Sequence, residues 1–181
     1  HPAAALAGLG ETGSADDVPL VEPYLSARSA ATRRAAVGAL AQLAPEAAVP
    51  HFLRALADGN PGVSKAARTA LAPRAGRAGS AELWRLASEG GAEHVRRNAL
   101  VLIAALGKWE SIGWLLRACV LDDEVSGVAA GLVRRWTDRF NRSGAQPAGD
   151  QIDRAKRALE AAAPVLRKGL ATELRFLMKG Y

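Results

Sequence analysis

"TRRAAVGAL" runs from Thr32 to Leu40, and "VSKAARTAL" from Val63 to Leu71. The second is close to a rewriting of the first, 31 residues later. Two further copies follow, "VRRNALVLI" (Val95–Ile103) and "VSGVAAGLV" (Val125–Val133), and one step back from Thr32 lies "HPAAALAGL" at His1. The copies start at 1, 32, 63, 95 and 125. A near-constant period of this size is the mark of a chain built from stacked units. Thr32, Ala36 and Leu40 in one copy, and Val63, Ala67 and Leu71 in the next, are spaced i, i+4, i+8, so each trio shares one face of a helix. No alternation of period two competes with this pattern.

A second helical segment precedes each copy. "VPLVEPYL" (Val18–Leu25) aligns with "VPHFLRAL" (Val49–Leu56), and "AELWRLA" (Ala81–Ala87) and "SIGWLLRACV" (Ser111–Val120) occupy the corresponding places. Each unit therefore reads as helix A, a turn and helix B. Neither helix alone can bury its apolar stripe, whereas stacked pairs share one continuous core. The punctuation fits. Asn60-Pro61 reads as an N-cap followed by the first helical residue. Pro19 and Pro50 fall in first turns, where a missing N–H costs little. Pro23 lies deep enough to distort its helix, and Gly76, Gly79 and Ser80 interrupt the chain before the next A helix.

On "EHVRRNALVLIAALG" (Glu93–Gly107) and "AAVPHFLRALAD" (Ala47–Asp58) the unit resembles a HEAT repeat of the short bacterial kind, often called PBS-lyase-like. The resemblance covers roughly residues 1–140. It implies an all-α, right-handed superhelix of the HEAT/ARM-like solenoid type, with about five stacked helix pairs over residues 1–142. Residues 143–181 lack the repeat register and read as a basic C-terminal helical cap, with Asp150 as an N-cap and Pro164 starting the final helix. The family resemblance also implies a non-catalytic scaffold that binds another protein, or another domain of its own full-length chain. The chain opens on His1 with a B-type helix that has no A helix before it, so the expectation is a piece of a longer protein.

Charge is unevenly placed. Of 24 Lys and Arg, eleven lie in residues 134–181 with only five of the 18 Asp and Glu; the rest of the chain is balanced. The net charge of +6 thus comes from the C-terminal helices. Three groups of residues are candidates for partner contact. Arg34, Lys65 and Arg97 share the third position of successive B copies. Equivalent positions in a solenoid form a row, here an anion-binding groove for an acidic peptide or a nucleic-acid backbone; the alternative is that these cations bond turns of neighbouring units. The row ends at Gly127. "RRWTDRFNR" (Arg134–Arg142) mixes Trp136 and Phe140 on one face with Arg135, Arg139 and Arg142 on another, which suits either docking of the cap or phosphate contact with aromatic stacking. Trp109, in the turn "GKWES", has no repeat equivalent and is either a contact residue or a lid over the next unit. Trp84, 32 residues after Phe52, and Trp114 read as core positions.

Enzymatic readings find little support. His1, His51 and His94 do not recur on one row, no metal-ligand spacing occurs, and neither a G-x-S-x-G nor a phosphate loop is present. The alternative function is a nucleic-acid-binding domain similar to HEAT-fold DNA glycosylases, using the basic C-terminal half; Asp138, two positions from Trp136, falls on a different helix face from it. No enzyme, cofactor, metal or small-molecule substrate is expected. Cys119, the single cysteine, sits on an apolar helix and reads as a buried thiol. No uninterrupted apolar run reaches the length of a membrane span, and the expected location is the cytoplasm.

Overall fold

The structure is a computed structural model that describes residues 1–121, 124–141 and 144–181, and every element among them is helical. In chain order these are α1 (Pro2–Thr12), α2 (Val18–Val21), α3 (Ala30–Leu43), α4 (Val49–Leu56), α5 (Pro61–Leu71), α6 (Ala75–Ala78), α7 (Ser80–Glu89), α8 (Glu93–Ile103), α9 (Lys108–Ala118), α10 (Glu124–Asp138), α11 (Gln151–Ala162) and α12 (Leu170–Met178). Short 3-10 segments adjoin α2 at Ala15–Asp17 and Glu22–Ser26, and join α5 to α6 at Ala72–Arg74.

The repeated nonapeptides become α1, α3, α5, α8 and α10, and each packs on the next. Their shared positions form three buried rows. Thr32, Val63, Val95 and Val125 make the first; Ala36, Ala67, Ala99 and Ala129 the second; Leu40, Leu71, Ile103 and Val133 the third. Every member of the second and third rows has no measurable exposure. Alanine recurs in the second row, each copy fully buried where neighbouring helices pack. Between α1 and α3 the approach is tight: a Cβ on Gly10 would lie 2.9 Å from the Cα of Ala39. The first copy departs from the register. Leu6 is its buried residue, while Ala5 is exposed and Leu9 half-buried, with α1 packed on α3.

The A segments form a second layer. Glu22–Ser26 packs on α3, α4 on α5, α7 on α8 and α9 on α10. Pro19 and Pro50 occupy the first turns of α2 and α4. At Pro23 the α-helical geometry has given way to the 3-10 segment beginning at Glu22, as a proline lacking its N–H dictates. Asn60 caps α5, its side-chain oxygen accepting from the N–H of Gly62 (3.0 Å) and Val63 (3.3 Å). Gly79, at φ +82°, turns the chain into α7, whereas Gly76 lies inside the short α6.

The C-terminal helices extend both layers. α11 lies along α9, with Gly113 against the backbone of Ala155, and α12 packs on α11 and touches α10. The core continues without a break from Leu6 to Met178. The final helix does not start at Pro164. That residue follows the end of α11, where the N–H groups of Val165 and Leu166 bond back to Ala162, and α12 begins only after Gly169 at φ +92°. Asp150 stands at the N-terminus of α11 without a side-chain capping bond; its carboxylate faces Arg154 at 3.5 Å.

Polar groups tie the units together. Arg33 Nε and Nη2 donate to the two oxygens of Asp58 at 2.7 and 2.9 Å, while Nη1 reaches the carbonyls of Ala27 and Arg28. Asp58 also accepts from the Asn60 N–H at 2.8 Å, and His94 Nε2 bonds the Asp58 carbonyl at 2.9 Å. Deeper in, the Asn98 amide donates to Ser64 Oγ at 2.9 Å, which donates to the Leu56 carbonyl at 2.7 Å. Both side chains are buried and satisfied, as burial of polar groups requires.

Two outcomes follow from this packing. Replacing Ala67 by Leu forces methylenes between α3, α5 and α8 and lowers the unfolding free energy in urea by about 1–3 kcal/mol. The Arg33 guanidinium, bonded to both oxygens, holds the Asp58 carboxyl below the usual carboxylate range, outweighing the burial that pushes it up. A depressed folded pKa gives stability that is complete above the unfolded value, about 3.9, and is lost as pH falls through the folded one. Arg33→Ala therefore lowers stability at neutral pH and flattens its decline as pH falls below about 4, measured by urea unfolding at a series of acid pH values.

Candidate binding surface

The face that α3, α5 and α8 turn away from the core carries the predicted cationic row. Arg34, Lys65 and Arg97 are all exposed. Arg34 extends toward the start of α5, where its Nη1 would lie 3.8 Å from a Cβ on Gly62. Arg97 is not open to a ligand in the same way, because its Nη1 donates to Glu93 Oε1 at 2.9 Å one turn earlier. The bonding between turns that a basic residue could supply is done by the neighbouring second position instead, through Arg33 on Asp58 and Arg96 Nε on the Ala87 carbonyl at 2.9 Å. The two adjacent arginines of "TRRAA" thus divide the tasks, Arg33 turned inward to a turn and Arg34 outward to solvent.

Past Gly127 the same side opens into a cavity of about 480 Å³ between α8, α9 and α10. Its apolar wall is Val101, Ala104, Leu115 and Leu132. Arg135, in the last turn of α10, and Arg139, just past its end with its N–H bonded to the Arg135 carbonyl, are both exposed and line it together with Lys108 from the first turn of α9. Among the described residues no Asp or Glu lines this cavity. Arg142, read from the sequence as part of the same basic face, lies outside the described residues.

Lys108 was not legible as a site residue, since only folding carries it across to α10. Its Nζ bonds the Asn141 carbonyl and sits 3.8 Å from the centre of the Phe140 ring and 5.4 Å from that of Trp109. Burial pushes its pKa down from the ordinary lysine range. Its carbonyl accepts the Trp136 indole N–H at 2.9 Å. The one sequence signal is position: it flanks the unmatched Trp109.

Trp109 is not a surface contact. It is 3 % exposed, in the first turn of α9, and its indole N–H donates to the Ala145 carbonyl at 2.7 Å. Its ring meets Tyr181 (4.6 Å between centroids), Trp136 (5.8 Å) and Phe140 (6.0 Å). Through Trp109 the cluster meets Ala145, before α11, and the last residue, Tyr181, while Trp136 and Phe140 pack on Trp109, Lys108 and each other. Phe52 is fully buried, but its counterparts Trp84 and Trp114 are half-buried, stacked on each other at 5.3 Å under the Arg117 guanidinium. They edge the core rather than fill it.

Among the described residues no cluster of His, Cys, Asp and Glu could hold a metal ion. His51 lies between Glu22 (3.0 Å) and Arg54 (2.6 Å), and His94 serves the Asp58 carbonyl. Asp138 is bound to Arg134 at 3.0 Å. Cys119 is buried beneath Leu115, and burial pushes its thiol up to about 11. The thiolate is the reactive form, so the native chain at pH 8 should resist a thiol reagent such as dithionitrobenzoate and react fully once unfolded in guanidinium. Trp109→Ala should lower stability by about 3–5 kcal/mol, read from guanidinium unfolding.

No helix among the described residues is long and apolar enough to cross a membrane. Residues 1–72 match the family model for HEAT repeats, and the all-helical, two-layered stack fits an α-solenoid. No curated protein matches the chain. The N-terminal part of the chain is thus similar to repeats whose general use is to hold proteins together.

Proposed function

We propose that the chain is a non-catalytic HEAT-repeat scaffold, a right-handed superhelix of about five helix pairs closed by residues 143–181. It binds a protein partner, or another part of its own full-length chain, in the bacterial cytoplasm. The observation that carries this reading is the division of each B helix into a buried trio in register and an exposed opposite face, repeated over α3, α5, α8 and α10. A repeated rigid face presents a wide surface with little ordering cost, which suits recognition by shape. Arg34 and Lys65 give that face its positive charge, and no cofactor or metal is part of the reading.

A second reading, nucleic-acid binding, is favoured by one observation: Lys108, Arg135 and Arg139 converge on one side of α10 in the basic part of the chain. The two readings separate on measurement. For the scaffold, immobilised chain should retain one protein from its source cells at near-stoichiometric yield; R34E/K65E should reduce retention by about tenfold, and R85E, on the α7 side, should leave it unchanged. For the second, titration with duplex and single-stranded DNA should saturate, weaken steeply with salt and weaken again in R135A/R139A. Weak, unsaturable DNA binding together with charge-dependent protein retention decides for the scaffold.

A further inference from the structure

We infer that the cavity between α8, α9 and α10 is an anchor pocket for an acidic peptide segment, taking one apolar side chain while flanking carboxylates pair with Arg135 and Arg139. The inference rests on the scaffold reading and names the chemistry of the partner at one place on it.

The first support is the state of the arginines. Several arginines carry carboxylates, Arg33 with Asp58, Arg74 and Arg77 with Glu46, Arg85 with Glu82, Arg134 with Asp138 and Arg175 with Glu160, while others, Arg34 among them, are exposed without one among the described residues. Arg135 and Arg139 have no acidic partner among the described residues, although Arg134 beside them is paired. Like charges at i, i+4 repel, and Lys108 adds a third positive group to the same cavity. An anion seated between the two guanidinium groups removes that repulsion and gains charge-assisted hydrogen bonds.

The second support is the wall. Val101, Ala104, Leu115 and Leu132 offer apolar surface to whatever enters, and about 480 Å³ lies within the range of pockets that enclose an organic group. The ligand is therefore an anion with an apolar body, not a bare anion. A nucleic-acid strand fits less well. Stacking of bases needs open ring faces, and Phe140 already carries the Lys108 ammonium while Trp136 is packed on Phe140 and Trp109. A phosphate track along the B helices is also broken, by the Arg97–Glu93 pair and by Gly127. An acidic peptide needs charge at the cavity alone.

The test uses fluorescence anisotropy with the full chain and a labelled synthetic peptide carrying one phenylalanine flanked by aspartates. Saturable binding is expected. It should weaken at least about tenfold when the peptide aspartates become asparagine, when the phenylalanine becomes alanine, and in R135Q/R139Q. Ala105→Trp, at an exposed position lining the cavity, should block binding without changing the thermal midpoint; if that variant misfolds, R135Q/R139Q carries the result. Binding unaffected by R135Q/R139Q, or equal binding of the peptide lacking phenylalanine, overturns the pocket. So does single-stranded DNA that displaces the peptide at lower concentration with the same arginine dependence, which would assign the cavity to nucleic acid. Absence of peptide binding overturns it too: with protein retention still sensitive to R34E/K65E, the scaffold reading stands alone, and with retention also absent both fall.

Discussion

The close side-by-side packing of α3, α5, α8 and α10 is the contact on which everything else in the structure depends. Four alanines, Ala36, Ala67, Ala99 and Ala129, permit it, each fully buried where consecutive helices meet. A larger side chain at any of them pushes two helices apart, and the displacement passes to the next unit because the rows are shared. Leu40, Leu71, Ile103 and Val133 fill the space that the approach defines. Each such buried side chain contributes about 1.5–3 kcal/mol, but their value here lies equally in register. With three helix positions committed to the core at fixed intervals, the opposite face of each helix is turned to solvent at fixed intervals as well.

Polar bonds set the spacing that apolar packing alone leaves loose. Arg33 grips Asp58 in the turn of the following unit, Asp58 holds Asn60 at the start of α5, and His94 from the unit after that reaches the Asp58 carbonyl. One acidic residue therefore joins three successive units. Beyond α10 the device changes. The C-terminal segment is held by the packing of α11 on α9 at Gly113 and by aromatic rings, with Trp109 in contact with Trp136, Phe140 and Tyr181. Rings suit this junction because α11 and α12 have no matching rows to enter, and large side chains can fill an irregular interface. The same cluster fixes Lys108 and the N-terminal turn of α9, and so shapes the cavity that Arg135 and Arg139 border.

Neighbouring residues of the same type show how far reading along the chain can go. Arg33 and Arg34 are adjacent, yet one is bonded to a turn and the other is open to solvent. Helical geometry places their side chains about 100° apart, and only the position of the neighbouring unit determines which of them meets Asp58. Trp109 stood out as unmatched by the repeat, but its lack of a counterpart marks a junction inside the molecule, not a contact outside it. Pro164 reads as a helix start on local preference, whereas Gly169 begins α12 because the chain must turn there to bring α12 against α11 and α10. Arg135 and Arg139 were legible as cations on one face of a helix. That they share a cavity with Lys108, and lack acidic partners among the described residues while Arg134 has one, was not.

By itself the sequence determined the period, the all-helical pairs, the buried trios of the B helices and the concentration of positive charge toward the C-terminus. These follow from spacing along a single helix, where side chains three and four residues apart must share a face. Tertiary structure decided which cations are neutralised, where the aromatic rings gather and where a cavity remains. Those outcomes depend on distances between residues far apart in the chain, such as Arg33 and Asp58 or Lys108 and Phe140, and such distances exist only once the helices have been stacked.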